Sequence, residues 1–396
     1  VKNVLDKTPI IGKGIGKAVK GTKQLLKYAI YHSNLFEDLG FKYLGPIDGH
    51  NLDELTEALM VAKMMQRPCL VHIYTKKGKG YAPAEDNSGE YHGLPPKKDD
   101  DNNCKGECFT DAFGKALLSF ADKDNSIYAV TAAMKYGTGL QHFYKAFPER
   151  FFDVGIAEQH AVTFSAGLAS QGKLPVFAVY SSFLQRSYDQ LIHDCAIEKR
   201  HIVLGIDRAG FVGEDGETHH GLFDVAMLTT VPGVTVYSPS DTAELSQCLE
   251  QALYKDKGIV AVRYPRGCEL YRSGTKAYSD FRHVSNKSRK LIFTYGRISA
   301  YAYTIHGVDV LQAIKIFPIA DEMIDICLAY DEIYAFEEGE REGGIAQKLC
   351  TALALAGFKG RFTITAVDGF VRHADVAAQL HNAMLDADGM RKITGE

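Results

Sequence analysis

Between residues 108 and 275 the chain alternates two hydrophobic patterns. FTDAFGKALLSFA (109–121), AEQHAVTFSAGLAS (157–170), RSYDQLIHDCAI (186–197) and TAELSQCLEQALY (242–254) repeat apolar residues at three-four spacing, which predicts helices. SIYAVTAAM (126–134), FFDVG (151–155), LPVFAVY (174–180), HIVLGID (201–207), GVTVYSP (233–239) and GIVAVRYP (258–265) are short and rich in β-branched residues, which predicts strands. These strands are continuously apolar rather than alternating. That pattern belongs to parallel sheets covered on both faces, so an α/β fold with a parallel sheet is expected. Before this block, LDELTEALMVAKMM (52–65) reads as an amphipathic helix and PCLVHIYT (68–75) as a buried strand. After it, KLIFTYG, EIYAFEEG and RFTITAV continue the strand style to the end of the chain. PPKKDDDNN (95–103) is polar, charged and unpatterned, as a linker would be. The expected organisation is 1–95, a linker at 96–107, a central domain at 108–275 and a last domain at 288–396.

Composition narrows the class. A chain of 396 residues with 46% hydrophobic and 24% charged residues is an ordinary globular protein, not a disordered one. A net charge of −4 provides no positive field for nucleic acid, and no apolar run reaches the roughly 18 residues of a membrane span. Neither nucleic acid nor a membrane is an expected partner. The opening 31 residues carry seven lysines against one aspartate and read as a solvated helical face; Gly16-x4-Gly21-Thr22-Lys23 lacks the Gly-Lys-Ser/Thr order of a phosphate loop. The chain starts at Val1 rather than Met and no signal-peptide pattern follows; the expected cytoplasmic address comes instead from the cysteines. Cysteines in apolar runs, such as Cys195 in LIHDCAI, read as buried thiols of a reducing compartment. Cys104 and Cys108 form a lone C-x3-C, too little for a zinc site, and no metal site is expected on this chain.

Ligands of parallel sheets sit at the carboxyl ends of the strands, so the residues just after each strand are the candidates. Glu158 enters the first turn of a helix after FFDVG, among the apolar neighbours Ala157, Ala161, Val162 and Phe164. It is either a capping acid favoured by the helix dipole or a carboxyl placed to hold or share a proton. The stretch 207–221 follows HIVLGI and carries four glycines in its last twelve residues, which let a backbone approach a ligand closely. Within it, Arg208 offers an anion clamp, and Asp215 and His219 offer acid–base groups. Arg266, in Arg263-Tyr-Pro-Arg266-Gly, suits phosphate or carboxylate recognition, or else closes a surface loop. Tyr180 and Phe183 follow LPVFAVY, where an aromatic ring either fills core or faces a planar ligand. Lys77 and Tyr81 follow LVHIYT, with His92 just beyond.

Taken together, GPIDGH (45–50), TKKGKGYAPAE (75–85), GIAEQHAV (155–162), SFLQRSYDQ (182–190), DRAGFVGEDGETHHG (207–221) and YPRG (264–267) resemble the 1-deoxy-D-xylulose-5-phosphate synthase family of transketolase-like thiamine diphosphate enzymes. FEEGEREGG (336–344) and LDADGM (385–390) extend the resemblance towards the end. It implies successive parallel-sheet α/β domains of the transketolase type: a partial first domain, a pyrimidine-binding domain and a C-terminal transketolase-like domain. It also implies condensation of pyruvate with D-glyceraldehyde 3-phosphate to 1-deoxy-D-xylulose 5-phosphate and CO2, feeding isoprenoid, thiamine and pyridoxal synthesis. By the same resemblance Glu158, His92, Asp215 and His219 are catalytic, and Tyr81, Lys77, Glu158 and Phe183 hold thiamine diphosphate. Tyr180, Arg208 and Arg266 would hold the phosphosugar, and a homodimer is implied. The family's Gly-Asp-Gly motif with its following asparagine, which binds diphosphate and Mg2+, has no counterpart here. The chain is therefore expected to be a fragment, one part of a split enzyme with a separate N-terminal half, or a non-catalytic truncated relative. A β-type subunit of a thiamine-dependent 2-oxoacid dehydrogenase or of a split transketolase is the alternative enzyme.

Overall fold

The computed structural model describes residues 35–92, 106–270, 272, 274 and 277–396. The basic opening segment, the phosphate-loop look-alike, the linker up to residue 105 and Cys104 lie outside the described residues. The chain divides into two units, Val1–Pro96 and Lys97–Glu396.

In the first unit, β1 (Lys42–Asp48) and β2 (Cys69–Tyr74) pair in parallel across the helix α1 (Leu52–Met64). Asn51 starts α1 by accepting the Glu54 N–H at 3.3 Å. The helix forms where its periodicity predicts, yet it holds no buried residue, and Leu52 and Met64 are 72% and 80% exposed. The expected buried strand is corrected likewise: Ile73 and Tyr74 of β2 are exposed. The cause is structural, because two strands and one crossover helix supply no second layer to cover these side chains among the described residues. A short helix, α2 (Ala82–Asp86), carries Pro83 in its first turn, where a missing N–H costs nothing.

In the second unit the predicted alternation is largely realised. It runs α3 (Phe109–Lys123), β3 (Ile127–Thr131), β4 (Phe151–Asp153), α4 (Glu158–Ser170), β5 (Leu174–Tyr180), α5 (Ser181–Leu184), β6 (Ile202–Asp207), β7 (Thr235–Tyr237), α6 (Thr242–Tyr254) and β8 (Ile259–Arg263). The single helix expected over 186–197 is instead wound in three ways: a tight 3-10 turn at Gln185–Ser187, an α turn at Tyr188–Gln190 and a wide π turn at Leu191–Ala196. Beyond it come β9 (Phe281–Val284), β10 (Lys290–Tyr295), β11 (Asp309–Ala313), β12 (Lys315–Phe317), β13 (Glu332–Glu340), α7 (Ile345–Leu355), β14 (Arg361–Val367) and α8 (Val376–Asn382).

One sheet has seven strands in the order β12-β7-β8-β6-β5-β3-β4, and the other has five in the order β14-β13-β10-β11-β9. Only the edge strands β12 and β9 run antiparallel to their neighbours. β12 arrives from beyond the second sheet's β11 and joins the first sheet through Lys315 and Tyr237, so both sheets share chain and belong to one unit. Burial explains the continuous apolar strands: all six residues of β6 are buried, with Ile202, Val203, Leu204 and Ile206 fully so. Cys195 is a buried thiol, as its apolar run implies, and burial pushes it up to about 12, which leaves it inert.

Candidate active site

The site of the second unit gathers where β4, β5, β6 and β8 end. After β4, Asp153 Oδ1 accepts the N–H groups of Ala133 at 2.8 Å and Gly155 at 3.0 Å, and Gly155 turns the chain at φ +74°. That turn delivers Glu158 as the first residue of α4, only 2% exposed. Glu158 does not cap: the capping position is Ala157, and Glu158 Oε2 is buried without any hydrogen bond. Its neighbour is the half-exposed Arg186, whose Nε lies 3.2 Å from that oxygen.

After β5, Tyr180 and Phe183 stack with ring centroids 5.7 Å apart and planes 16° apart. His219 and Phe183 meet edge-on, with ring centroids 5.2 Å apart and planes at 74°. Arg208 lies over the Tyr180 ring at 4.1 Å and donates to the Gly137 carbonyl. Gly137 must be glycine, because a Cβ there would sit 1.8 Å from the Tyr180 hydroxyl. Burial raises the Tyr180 pKa, and the charges acting on it are those of Arg208, Asp207, Asp215 and Arg266. The Arg208 backbone is held at φ +62°, a left-handed conformation that costs a side-chain-bearing residue energy and is tolerated where surroundings enforce it. Here the enforcement is the fully buried Asp207, which accepts the Arg208 N–H at 2.8 Å, pairs with its guanidinium at 3.0 Å and takes a hydrogen bond from Thr110 of α3 at 2.7 Å.

The loop after β6 closes its neck with paired Gly210 and Gly221 hydrogen bonds of 2.8 Å. Arg266 donates to the Val212 carbonyl at 2.9 Å and pairs with Asp215 at 3.1 Å. The second sheet supports this loop from behind. Glu338 accepts the Phe211 N–H at 2.7 Å, Arg297 donates to the Phe211 carbonyl at 2.9 Å, and the two form a buried ion pair. Buried His220 accepts the Val212 N–H at 3.2 Å, and burial lowers its pKa.

The candidates of the first unit form their own group. Lys77 is hydrogen-bonded to His92, and the Tyr81 ring meets Tyr91 edge-on at 5.7 Å. Glu85 ties this loop by accepting Gly80 N–H at 2.8 Å and pairing with Lys76. Lys77, Tyr81 and His92 are all exposed. The structure thus brings Glu158, Tyr180, Phe183, Arg208, Asp215, His219 and Arg266 into one region of the second unit, and Lys77, Tyr81 and His92 together in the first.

Several supporting residues escaped the sequence reading. Arg186 stands within SFLQRSYDQ, three residues after Phe183, and was open to notice as an arginine beside a strand end. His220 is adjacent to His219, and nothing in the sequence separates the buried ring from the half-buried one. Arg297 and Glu338 meet only because β10 and β13 are sheet neighbours, which the sequence does not announce.

The largely parallel seven-stranded sheet, with these candidate side chains at its strand ends, defines a transketolase-type α/β protein. Residues 108–269 match the transketolase pyrimidine-binding domain, and a split-gene transketolase solved as an inactive β4 tetramer superposes with a TM-score of 0.63 at 23% identity, covering 72% of this chain and 96% of that one. The chain belongs to the 1-deoxy-D-xylulose-5-phosphate synthase family, whose model matches residues 1–75. It is 39% identical to the synthase of Natranaerobius thermophilus over 432 residues, covering 100% of this chain and 67% of that one. With the Clostridium kluyveri synthase it shares 47% identity over 313 residues, 76% of this chain and 49% of that one. The chain therefore spans about half to two thirds of these relatives' length.

The family implies thiamine diphosphate, and the residues present fit its heterocycle. A buried carboxylate oxygen that accepts no hydrogen bond and is reached by Arg186, three residues beyond the Phe183 ring stacked on Tyr180, suits a planar ring that carries an N–H. Among the described residues no group of three His, Cys, Asp or Glu side chains could hold a metal ion, and no helix is long and apolar enough to cross a membrane.

Proposed function

We propose that this chain serves the thiamine diphosphate-dependent condensation of pyruvate with D-glyceraldehyde 3-phosphate to 1-deoxy-D-xylulose 5-phosphate and CO2. The observation that carries the reading is Glu158, a buried carboxylate at a helix start whose oxygen accepts no hydrogen bond and is paired with Arg186, three residues after Phe183. Bound thiamine diphosphate supplies the nucleophilic carbon and the electron sink for decarboxylation. The chain's own residues do the rest. Glu158 holds a proton at the heterocycle's ring nitrogen, and Phe183 packs on its face. Tyr81 and Lys77 of the first unit are the further cofactor contacts that the family resemblance implies. His219 and Asp215 move protons at the reacting carbons, a role that the family resemblance also implies for His92 of the first unit. Arg208, Arg266 and Tyr180 grip the acceptor's phosphate, a remote handle whose binding energy orients the reacting end. Arg266 already pairs with Asp215, so an incoming phosphate competes for that guanidinium and frees the carboxylate for proton transfer.

In the same reading the ligands of the diphosphate and Mg2+ come from further polypeptide that covers the exposed faces of α1 and β2, as a separate N-terminal half would. The assembly is a homodimer by family resemblance. The test mixes the purified chain with thiamine diphosphate, Mg2+, pyruvate and glyceraldehyde 3-phosphate, with and without the separately expressed N-terminal third of the Natranaerobius synthase. Product is expected with the added region. No turnover in either mixture overturns the reading and favours a non-catalytic relative.

A further inference from the structure

Phe211 and Val212, in the loop after β6, are fully buried, yet they stand outside any helix or strand and have no ladder to satisfy their backbone. Four side chains do so instead. The Phe211 N–H donates to Glu338 at 2.7 Å, and the Phe211 carbonyl accepts from Arg297 at 2.9 Å. The Val212 N–H donates to His220 at 3.2 Å, and the Val212 carbonyl accepts from Arg266 at 2.9 Å. Arg297 reaches further, because its Nη1 donates to the backbone carbonyl of Arg266 at 3.3 Å. Arg266 is therefore held at both ends, its peptide by Arg297 and its guanidinium by the neighbour of the residue that Arg297 also holds. The links close a ring.

Arg297 is 5% exposed, with Nε and Nη2 turned to Glu338, which leaves it behind the loop rather than at a ligand. The ring uses three nitrogens of one planar guanidinium, aimed at a carboxylate and two carbonyls; an ammonium, as a point charge, cannot reproduce that fork. Gly210 leaves room for Glu338, since a Cβ there would come within 2.5 Å of the carboxyl carbon. Resting on the reading of Arg266 as a grip for the acceptor's phosphate, we propose that Arg297, locked by Glu338, is the positioning residue of that grip. The ends of β10 and β13 thereby set where the Arg266 guanidinium stands. A guanidinium already fixed in place loses less freedom when it binds an anion, so affinity depends on the ring being closed.

The test measures the binding of inorganic phosphate to the purified full chain by phosphorus NMR titration. It needs neither thiamine diphosphate nor turnover, so its outcome is separate from that of the condensation assay. Arg297→Lys keeps the charge and removes the fork. It is expected to raise the phosphate Kd about tenfold, the order of one charge-assisted hydrogen bond. In an Arg266→Ala background the same change is expected to cost less than about twofold, because the residue through which it acts is gone. A general loosening of the fold would instead weaken phosphate equally in both backgrounds, and that result overturns the proposal. Glu338→Asp, which keeps the charge and shortens the reach, goes through the same cycle, so the proposal does not hang on one variant folding. An unchanged Kd in these variants overturns it while leaving the grip in place, and a natural chain that binds no phosphate overturns both.

Discussion

Glu158 combines near-complete burial with an oxygen that accepts no hydrogen bond and faces only the half-exposed guanidinium of Arg186 at 3.2 Å, an arrangement that a ligand N–H would complete. Glu158→Gln keeps the size and removes the ionisable group. In the complemented assembly it is expected to lower kcat by about 10²–10⁴, the usual worth of a positioned acid–base group. A rate within a few-fold of the unmodified assembly would remove Glu158 from the chemistry. Arg266→Ala is expected to act differently, raising KM for glyceraldehyde 3-phosphate while leaving acceptor-free pyruvate decarboxylation intact. Equal loss of both would displace Arg266 from the phosphate. His220 makes a third prediction, this one about stability. Burial holds its pKa below the ordinary value, whereas the unfolded chain protonates it near 6.5. Below about pH 6.5 the unfolded state therefore binds a proton that the folded state refuses, and stability present above that pH is lost as the pH falls toward the folded value. His220→Asn, whose amide oxygen accepts the Val212 N–H, should lose less stability on acidification than the natural chain, measured by urea midpoints across pH 5–8. Parallel acid limbs in the two proteins would refute it.

Secondary elements explain which of these residues were legible in the sequence. β5, β6 and β8 were marked by continuous apolar runs, because a strand buried on both faces excludes polar residues, and their ends locate Tyr180, Arg208 and Arg266. Glu158 follows the three-residue β4, marked only by its two phenylalanines and the glycine turn after it. The mixed winding at 185–196 was not legible, since apolar spacing over a dozen residues does not distinguish a wide turn from an ordinary one. The amphipathic pattern of α1 was legible and its burial was not, because periodicity says which face is apolar and nothing about what covers it. The support behind the loop after β6 was hidden for another reason: it depends on sheet order. Arg297 follows β10 and Glu338 lies in β13, and only their adjacency in the sheet makes a pair. Glu338→Ala would strand a buried guanidinium and unsatisfy the Phe211 N–H. A loss of about 3–5 kcal/mol by chemical denaturation is expected, with part recovered by adding Arg297→Met. A loss under about 1 kcal/mol, the range of exposed pairs, would show that the pair is solvated.

At the scale of the whole molecule, the two units differ in how far each satisfies its own apolar surface. The second unit closes two sheets over continuous cores, with β5, β6 and β8 almost entirely buried. In the first unit α1 holds no fully buried residue, and Leu52, Leu59, Met60 and Met64 stand in solvent. Burial of about 25 cal/mol per Å² of apolar surface is what outweighs chain entropy, so a helix without it opens at a free energy near zero. Amide hydrogen exchange on the intact chain should therefore show α1 exchanging orders of magnitude faster than β6, whatever the global stability. Adding the N-terminal third of the Natranaerobius synthase should then slow exchange in α1 and β2 while leaving β6 unchanged, because the added polypeptide covers only the exposed faces. Protection confined to the second unit would place the binding surface elsewhere. Slow exchange in α1 before any addition would mean that its apolar face is already covered.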